Sequence, residues 1–148
     1  MNTTLTTPDQ DWLLLPAIIG GFFIVFPLFW CLVVWMLSRG SGWHRLAARH
    51  ASGSRPVTGV TCGGVTGMVG GGSYRGTLTL HFDTDGFFLE VMPLFRIGHP
   101  RVFIPWSEIS GRQPFTVLWW KAVRLSVGQP VIATISLPAA LLEKHAPA

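Results

Sequence analysis

Charged residues are scarce in this chain, and acidic residues are scarcest. Only 12% of the 148 residues are charged, about half the usual share of a soluble domain, and seven are Asp or Glu. Glu90 and Glu108 are the only acids expected near a cleft, and nothing pairs them. No Ser–His–Asp or Cys–His arrangement can be inferred from spacing. We therefore expect a protein that is not an enzyme.

Lysine is absent before Lys121, although the stretch from Gly59 to Gly76 contains eight glycines. A mononucleotide-binding loop requires Lys-Ser or Lys-Thr after its last glycine, and a dinucleotide-binding loop requires a following helix. The residues after Gly76 alternate like a strand instead. We expect no nucleotide site. The stretch is predicted to be a flexible loop beside a weak first strand, either 57–62 or 65–69.

Cysteine is rare, and the histidines are scattered. Cys31 lies inside an apolar segment and Cys62 lies outside it, so a disulfide would have to join lipid to water. Two free thiols are typical of a reducing compartment. The chain has no His-x-x-x-His or Cys-x-x-Cys pair, which metal sites commonly use. We expect neither a metal nor another cofactor.

What the chain does have is a long uncharged run from Trp12 to Leu37. Its length suits a transmembrane helix with some tilt, and Trp12 and Trp35 suit the interfacial ends. A cleaved signal peptide explains it less well, because the tail before it is acidic and Met36–Arg39 is a poor cleavage site.

Positive charge follows this run and does not precede it. The tail, residues 1–11, has two Asp and no Lys or Arg, whereas residues 38–55 have four arginines and no acid. The positive-inside rule places the tail outside and the basic segment in the cytoplasm. We expect a single-pass protein of the cell inner (plasma) membrane with a cytoplasmic C-terminal domain.

Two interpretations remain open for the basic segment. Apolar residues at helical spacing predict a short amphipathic helix over Ser41–Ala51, lying in the headgroup plane with its arginines against anionic lipid. The alternative is a stop-transfer flank with no defined structure. The residues predicted at the membrane interface are Trp12, Trp35, Arg39, Trp43, Arg45 and Arg49.

The rest of the chain is predicted to be mainly β. About six strands and a terminal helix are expected: one weak first strand, then Tyr74–Phe82, Phe87–Met92, Val102–Pro105, Phe115–Val127 and Val131–Ser136, and the helix Leu137–His145. This order predicts a pleckstrin-homology-like small barrel with a C-terminal helix, attached to one transmembrane helix. Residues 125–142 carry no charge, but their glycine and prolines predict no second crossing.

Several motifs resemble a family of small, uncharacterised bacterial membrane proteins. The motifs are Gly42–Ala47, Tyr74–Leu80, Met92–Pro100 and Phe103–Ile109, of which Ile-Pro-Trp-Ser-Glu-Ile at 104–109 is the most specific. Such proteins combine one N-terminal helix with a pleckstrin-homology-like or GRAM-like domain. The resemblance implies this architecture and implies no activity.

The loop Arg96–Arg101 is the candidate docking site. Arg96, His99 and Arg101 together offer two guanidinium groups and an imidazole to an anion or a carboxylate. The favoured alternative is a solvated loop in which one arginine pairs with Glu108, since weak surface ion pairs are common.

Trp119 and Trp120 are predicted to lie on opposite faces of one strand. One ring is then expected in the core. The other is expected to be exposed or at an interface, and Trp120 joins the candidate docking residues.

We therefore expect a membrane-anchored cytoplasmic binding or adaptor module that docks a protein partner or a lipid headgroup at the membrane surface. Its parts are an external tail (1–11), a transmembrane helix (12–37), a basic juxtamembrane segment (38–55) and a β domain (56–148). The expected partners are the lipid bilayer and a protein partner in the membrane, and the nearly balanced charge of the β domain argues against nucleic acid. The alternative is an accessory or assembly subunit that contacts a larger membrane complex mainly through its helix. A lipid-modifying enzyme would need a polar cleft that the sequence does not predict.

Overall fold

The computed structural model describes residues 11–147, which fall into two compact units. The first unit ends at Val33, and the second begins at Val34 and contains every strand. The predicted external tail lies outside the described residues, apart from Asp11, where the first helix begins.

The first helix, α1 (Asp11–Ser41), contains the apolar run. Within it, Trp12–Ser41 has a mean hydropathy of 2.5 and is long and apolar enough to cross a membrane. Its side chains are almost all exposed rather than buried in protein, so they need apolar surroundings of another kind. It is the one such helix among the described residues, and 125–142 forms strand and short helix instead, as predicted.

The second helix, α2 (Trp43–His50), follows directly, after Gly42 takes a left-handed conformation with φ of 83°. The predicted amphipathic helix is thus confirmed. Its apolar stripe, however, faces the β domain, because Trp43 and Leu46 are both fully buried. The interfacial position predicted for Trp43 is therefore wrong, since a side chain with 0% exposure cannot contact lipid.

Seven antiparallel strands form one sheet in the order β4-β3-β2-β1-β7-β6-β5, which curls into a half-barrel. The strands are β1 (Val60–Val69), β2 (Gly72–Phe82), β3 (Gly86–Val91), β4 (Val102–Pro105), β5 (Ile109–Val117), β6 (Trp120–Val127) and β7 (Ala133–Pro138). The last helix, α3 (Ala139–His145), packs against β6 and β7. The predicted fold class, an apolar N-terminal helix with a small mainly-β barrel and a C-terminal helix, is confirmed.

The glycine-rich stretch is a strand and not a flexible loop. It forms β1 and the turn into β2, with irregular pairing around Gly63 and Gly64. A Cβ at Gly67 would lie 2.8 Å from the Ser136 carbonyl oxygen of β7. Glycine therefore permits both the irregular pairing and the close passage of β1 past β7.

The strand predicted over Phe115–Val127 is two strands. β5 already begins at Ile109, and the chain turns at Leu118, which has a positive φ of 55°. The sheet therefore has seven strands rather than about six. The alternation of β5 was missed because most of its side chains are exposed and show little apolar pattern.

The core lies on the concave face of the half-barrel. It is built mainly from aliphatic and aromatic side chains of β2, β3, β4, β6 and β7, and α2 adds Trp43 and Leu46 while α3 adds Leu142. The second unit begins at Val34, whereas the β domain was predicted to begin at Pro56, 22 positions later (56 minus 34).

Candidate functional site

The last two turns of α1 are part of the folded domain. Val34, Ser38 and Ser41 are all buried, and the Ser38 hydroxyl donates a hydrogen bond to the Gly98 carbonyl. A methyl group on Gly70, in the β1–β2 turn, would overlap the carbonyl oxygen of Ser41. The helix end is thus clamped between the β1–β2 turn and the loop that follows β3.

A buried polar cluster, which we call the helix joint, connects these elements through Ser41, Trp43, Tyr74 and His99. Tyr74 Oη lies 3.0 Å from Ser41 Oγ and 2.9 Å from His99 Nε2. The Trp43 indole Nε1 donates to the Pro100 carbonyl at 3.0 Å, and its ring lies edge-on to His99 with centroids 5.1 Å apart. The joint connects α1, α2, β2 and the β3–β4 loop through satisfied buried groups.

His99 is held neutral in this joint. Burial lowers the pKa of its imidazole, and burial raises the pKa of the Tyr74 phenol. His99 Nδ1 lies 3.1 Å from the Ile97 carbonyl oxygen, which can only accept, so Nδ1 carries the proton. Nε2 is then the acceptor nitrogen, and it shares the single proton of the Tyr74 hydroxyl with Ser41 Oγ. Because His99 is 1% exposed, its predicted role as a docking residue is wrong.

The two arginines of the loop, Arg96 and Arg101, make different contacts. Arg96 Nη2 donates to Glu90 Oε2 at 3.1 Å, so the predicted surface ion pair exists, with Glu90 as the partner in place of Glu108. Arg101 donates from Nε to Ser52 Oγ at 2.9 Å and from Nη2 to the Arg55 carbonyl at 3.0 Å. Arg101 therefore fastens the segment after α2 to β4.

Both arginines line a shallow cavity of about 360 Å³ together with Glu90. The Glu90 carboxylate lies among the same residues that would hold an anion, and it already neutralises Arg96. This cavity is a poor anion site for that reason, and its arginines make contacts within the domain instead.

A hydroxyl, an imidazole and a carboxylate line up across three strands. Thr61 Oγ1 lies 2.8 Å from His81 Nδ1, and His81 Nε2 lies 2.7 Å from Glu90 Oε1. The order matches that of a nucleophile, base and acid, but Thr61 lies exposed on the sheet and the cavity beside Glu90 is not lined by Thr61 or His81. We interpret the row as a cross-strand ladder that stabilises β1, β2 and β3.

The tip of the β5–β6 hairpin is the most exposed apolar feature of the second unit. Leu118 is 80% and Trp119 is 89% exposed. The prediction that Trp119 and Trp120 share one strand is wrong, because Trp119 lies in the turn. Trp120 is half-buried and packs edge-to-face on Phe115 at 5.9 Å, outside the core cluster. Neither ring is a core residue.

The hairpin tip lies at the end of the sheet remote from the helix joint. The Gly70 amide donates to the Thr134 carbonyl at 2.7 Å, which places the start of β7 beside the turn that meets Ser41. β7 then runs to Pro138, which pairs with Ala122, four residues from Leu118. At 3.3 Å per residue, the tip is roughly 25 Å along the strands from the joint.

No protein family, curated protein or solved structure matches this chain. The resemblance to uncharacterised bacterial membrane proteins with a pleckstrin-homology-like domain therefore stays a prediction. Function has to follow from the chain's own geometry.

The other residues predicted at the membrane interface are exposed. Trp12 lies near the start of α1, and Trp35 lies under the Arg39 guanidinium, 4.6 Å from ring centroid to Cζ. Arg45 and Arg49 are exposed on α2. Trp35 and Arg39 in the last turns of α1, and Arg45 and Arg49 on α2, are compatible with a headgroup layer.

The helix joint was missed by the sequence analysis. Its signal was weak: Ser38 and Ser41 lie one turn apart just after the apolar run, and Tyr74 is the chain's single tyrosine. Polar residues after an apolar run are ordinary in a flank, so nothing in the sequence indicated that they would be buried.

Proposed function

We propose that this chain is a single-pass adaptor of the bacterial inner membrane. In this proposal α1 crosses the bilayer with its N-terminus outside, and the pleckstrin-homology-like β domain lies in the cytoplasm. The domain docks a protein partner through the β5–β6 hairpin tip, which we define as Val117, Leu118, Trp119 and Trp120.

The helix joint favours a domain that is rigidly attached to the end of α1 over a domain that is attached by a flexible linker. A simple tether would need only a flexible linker after the apolar run. Here the buried side chains of Ser38 and Ser41 and the close approach of Gly70 make the helix end part of the domain. The surfaces of the domain are therefore presented in one orientation relative to the end of α1.

The exposed hairpin tip is the observation that carries the docking role. An exposed tryptophan beside an exposed leucine is costly in water, and aromatic anchors dominate the energy of protein interfaces. Leu118 also holds a left-handed backbone conformation, which costs about 1–2 kcal/mol for a residue with a Cβ. Such strain at an exposed apolar tip favours a role in recognition.

The chemistry of the partner follows from the charges beside the tip. Residues 115–124 contain Lys121 and Arg124 and no acid. Both cations are exposed. The matching surface on a protein partner is an apolar pocket for Trp119 with acidic side chains on its rim.

Site-specific photo-cross-linking in native membranes tests this role. A photoreactive phenylalanine derivative in place of Trp119 should give one adduct of defined mass, and the same probe at Val131, an exposed apolar residue of another turn, should not. Reversing the charge of Lys121 and Arg124 to Glu should abolish the adduct, whereas Lys144→Glu, an exposed change on α3, should leave it.

Two other outcomes would contradict the docking role. Equal adducts from Trp119 and Val131, or none from Trp119, would remove the hairpin tip as the contact. Adducts only from probes within α1, for example at Phe23, would favour the accessory-subunit alternative. Orientation is tested separately by a reporter fused after Ala148, which should be active only in the cytoplasm.

A further inference from the structure

The loop between β3 and β4 carries a second exposed apolar surface, distinct from the hairpin tip. Leu94 is 63% exposed, and Met92 and Ile97 are each 44% exposed. The three lie in a six-residue segment, 92–97, around the 3₁₀ turn Pro93–Phe95. Apolar side chains so close together on one short loop indicate a surface that is covered in the working state.

This loop lies directly against the end of α1. Gly98 accepts the hydrogen bond of Ser38, and a Cβ on Gly98 would lie 3.5 Å from the Cα of Trp35. His99 continues into the helix joint. The apolar residues of the loop are therefore held at the level of Trp35 and Ser38 and cannot drift away without breaking the joint.

The end of α1 is where a bilayer would end. The apolar run of about 25 residues is roughly 38 Å long as a helix, which exceeds the roughly 30 Å of the hydrocarbon core. Trp35 and Arg39 then fall in the headgroup layer, where tryptophan and arginine are favoured. Met36 and Leu37 are exposed beside them.

The charges around the loop match an anionic lipid surface. Arg39 and Arg75 are exposed near it, and residues 34–55 contain no acid. Arg96 is exposed as well, but its charge is already paired with Glu90. A cavity of about 440 Å³ separates Leu37 of α1 from Phe95 of the loop, and Arg75 is on its wall. Peripheral segments bind membranes in this way: their apolar side chains enter the interface, and their arginines lie beside lipid phosphates.

We infer that the segment Met92–Ile97 is an interfacial wedge that inserts Met92, Leu94 and Ile97 into the anionic bilayer that α1 crosses, with Arg39 and Arg75 against lipid phosphates. The wedge and α1 then give the protein two membrane contacts. This inference rests on the membrane placement proposed above and is independent of docking at the hairpin tip.

Fluorescence of the full-length chain in lipid nanodiscs tests the wedge. A polarity-sensitive dye is attached at Leu94→Cys, in a background with Cys31→Ser and Cys62→Ser that is first checked for native melting. The matched control carries the dye at Leu118→Cys, which replaces another exposed leucine at the remote end of the sheet. Quenchers are placed at a shallow depth in the acyl chains of neutral or phosphatidylglycerol-containing bilayers.

We expect blue-shifted emission and strong quenching at position 94, increased by anionic lipid, and aqueous emission without quenching at position 118. Arg39→Ala with Arg75→Ala should remove the increase caused by anionic lipid. Aqueous emission at position 94 in both bilayers would overturn the inference, as would equal quenching at positions 94 and 118. Cross-linking tests the hairpin tip, and quenching tests the loop. Membrane insertion of α1 is tested separately, by whether the full-length chain stays in the membrane on alkaline extraction. Failure of one proposal is therefore distinguishable from failure of another.

Discussion

The hydroxyl of Tyr74 lies 2.9 Å from Nε2 of His99 inside the helix joint, and both side chains are buried. The neutral imidazole accepts this hydrogen bond and donates another to the Ile97 carbonyl. One buried pair thus connects β2 to the loop that holds the end of α1. Its integrity depends on the protonation state of His99.

Acid should loosen the joint. Burial lowers the pKa of His99 in the folded chain, so the unfolded chain binds the proton more readily. Stability is then complete above the unfolded pKa of about 6.5 and falls as the pH drops through that value towards the lower folded pKa. Tyr74, Trp43 and the Ile97 carbonyl pack against the ring, and none of them titrates in this range.

Thermal melts of the full-length chain in detergent between about pH 5 and 7.5 measure this loss. His99→Gln should lower the melting temperature at neutral pH and flatten its dependence on pH. The exposed His44→Gln should leave the slope unchanged. An unchanged slope in the His99 variant would show that another group is responsible.

Two adjacent glycines should respond very differently to alanine. Gly70 has a φ of 54°, and a methyl group there would overlap the Ser41 carbonyl oxygen, so Gly70→Ala should destabilise the domain by more than about 1 kcal/mol. Gly71 has room, since a Cβ would lie 3.9 Å from the Gly40 carbonyl oxygen, and Gly71→Ala should be nearly neutral. Urea unfolding of both variants, with limited proteolysis after Ser41, measures the difference; equal effects would refute the close approach.

Arg96→Ala and Arg101→Ala should lower the stability of the domain by different amounts. Arg101 donates hydrogen bonds to the segment 52–55, so its loss should cost about 1–2 kcal/mol. Arg96 is exposed and pairs with Glu90 at the surface, so its loss should cost less than about 0.5 kcal/mol. Thermal melts of the two single variants test the order, and a larger loss for Arg96 would reverse the assignment.

Leu118→Asn should stabilise the chain and weaken its docking at the same time. Asparagine tolerates the left-handed conformation that strains leucine, so the variant should gain up to about 1 kcal/mol. Loss of the apolar side chain should reduce the cross-link from position 119. Melting and cross-linking of the same preparations check both effects, and Thr116→Asn, an exposed change on β5, is the control. A lower melting temperature for Leu118→Asn would show that the leucine stabilises the turn.

Local patterns in the sequence were enough for the elements that depend on neighbours in the chain. The uncharged run from Trp12 to Leu37 predicts α1, and the alternation of Tyr74–Phe82 with the turn before Phe87 predicts the β2–β3 hairpin. These signals are strong because each pattern repeats over many consecutive residues.

Strands with unusual composition were harder to predict. The glycines of β1 are locally typical of a loop. Only the pairing of β1 with β2 and β7 shows that these positions lie in a sheet, which leaves little room for side chains there. The exposed β5 lacks an apolar stripe for a related reason: it lies at the edge of the sheet, where alternation is weakly imposed.

The sequence by itself determined that an apolar helix precedes a small β barrel and that positive charge follows the helix. Only the tertiary structure decided what the flanking residues do. Trp43 has the spacing of an interfacial residue, and His99 lies in an arginine-containing loop, yet both are buried beside Tyr74. The reason is physical: burial depends on which distant segments the fold brings to the end of α1, and residues 41, 74 and 99 meet there only after the sheet has formed.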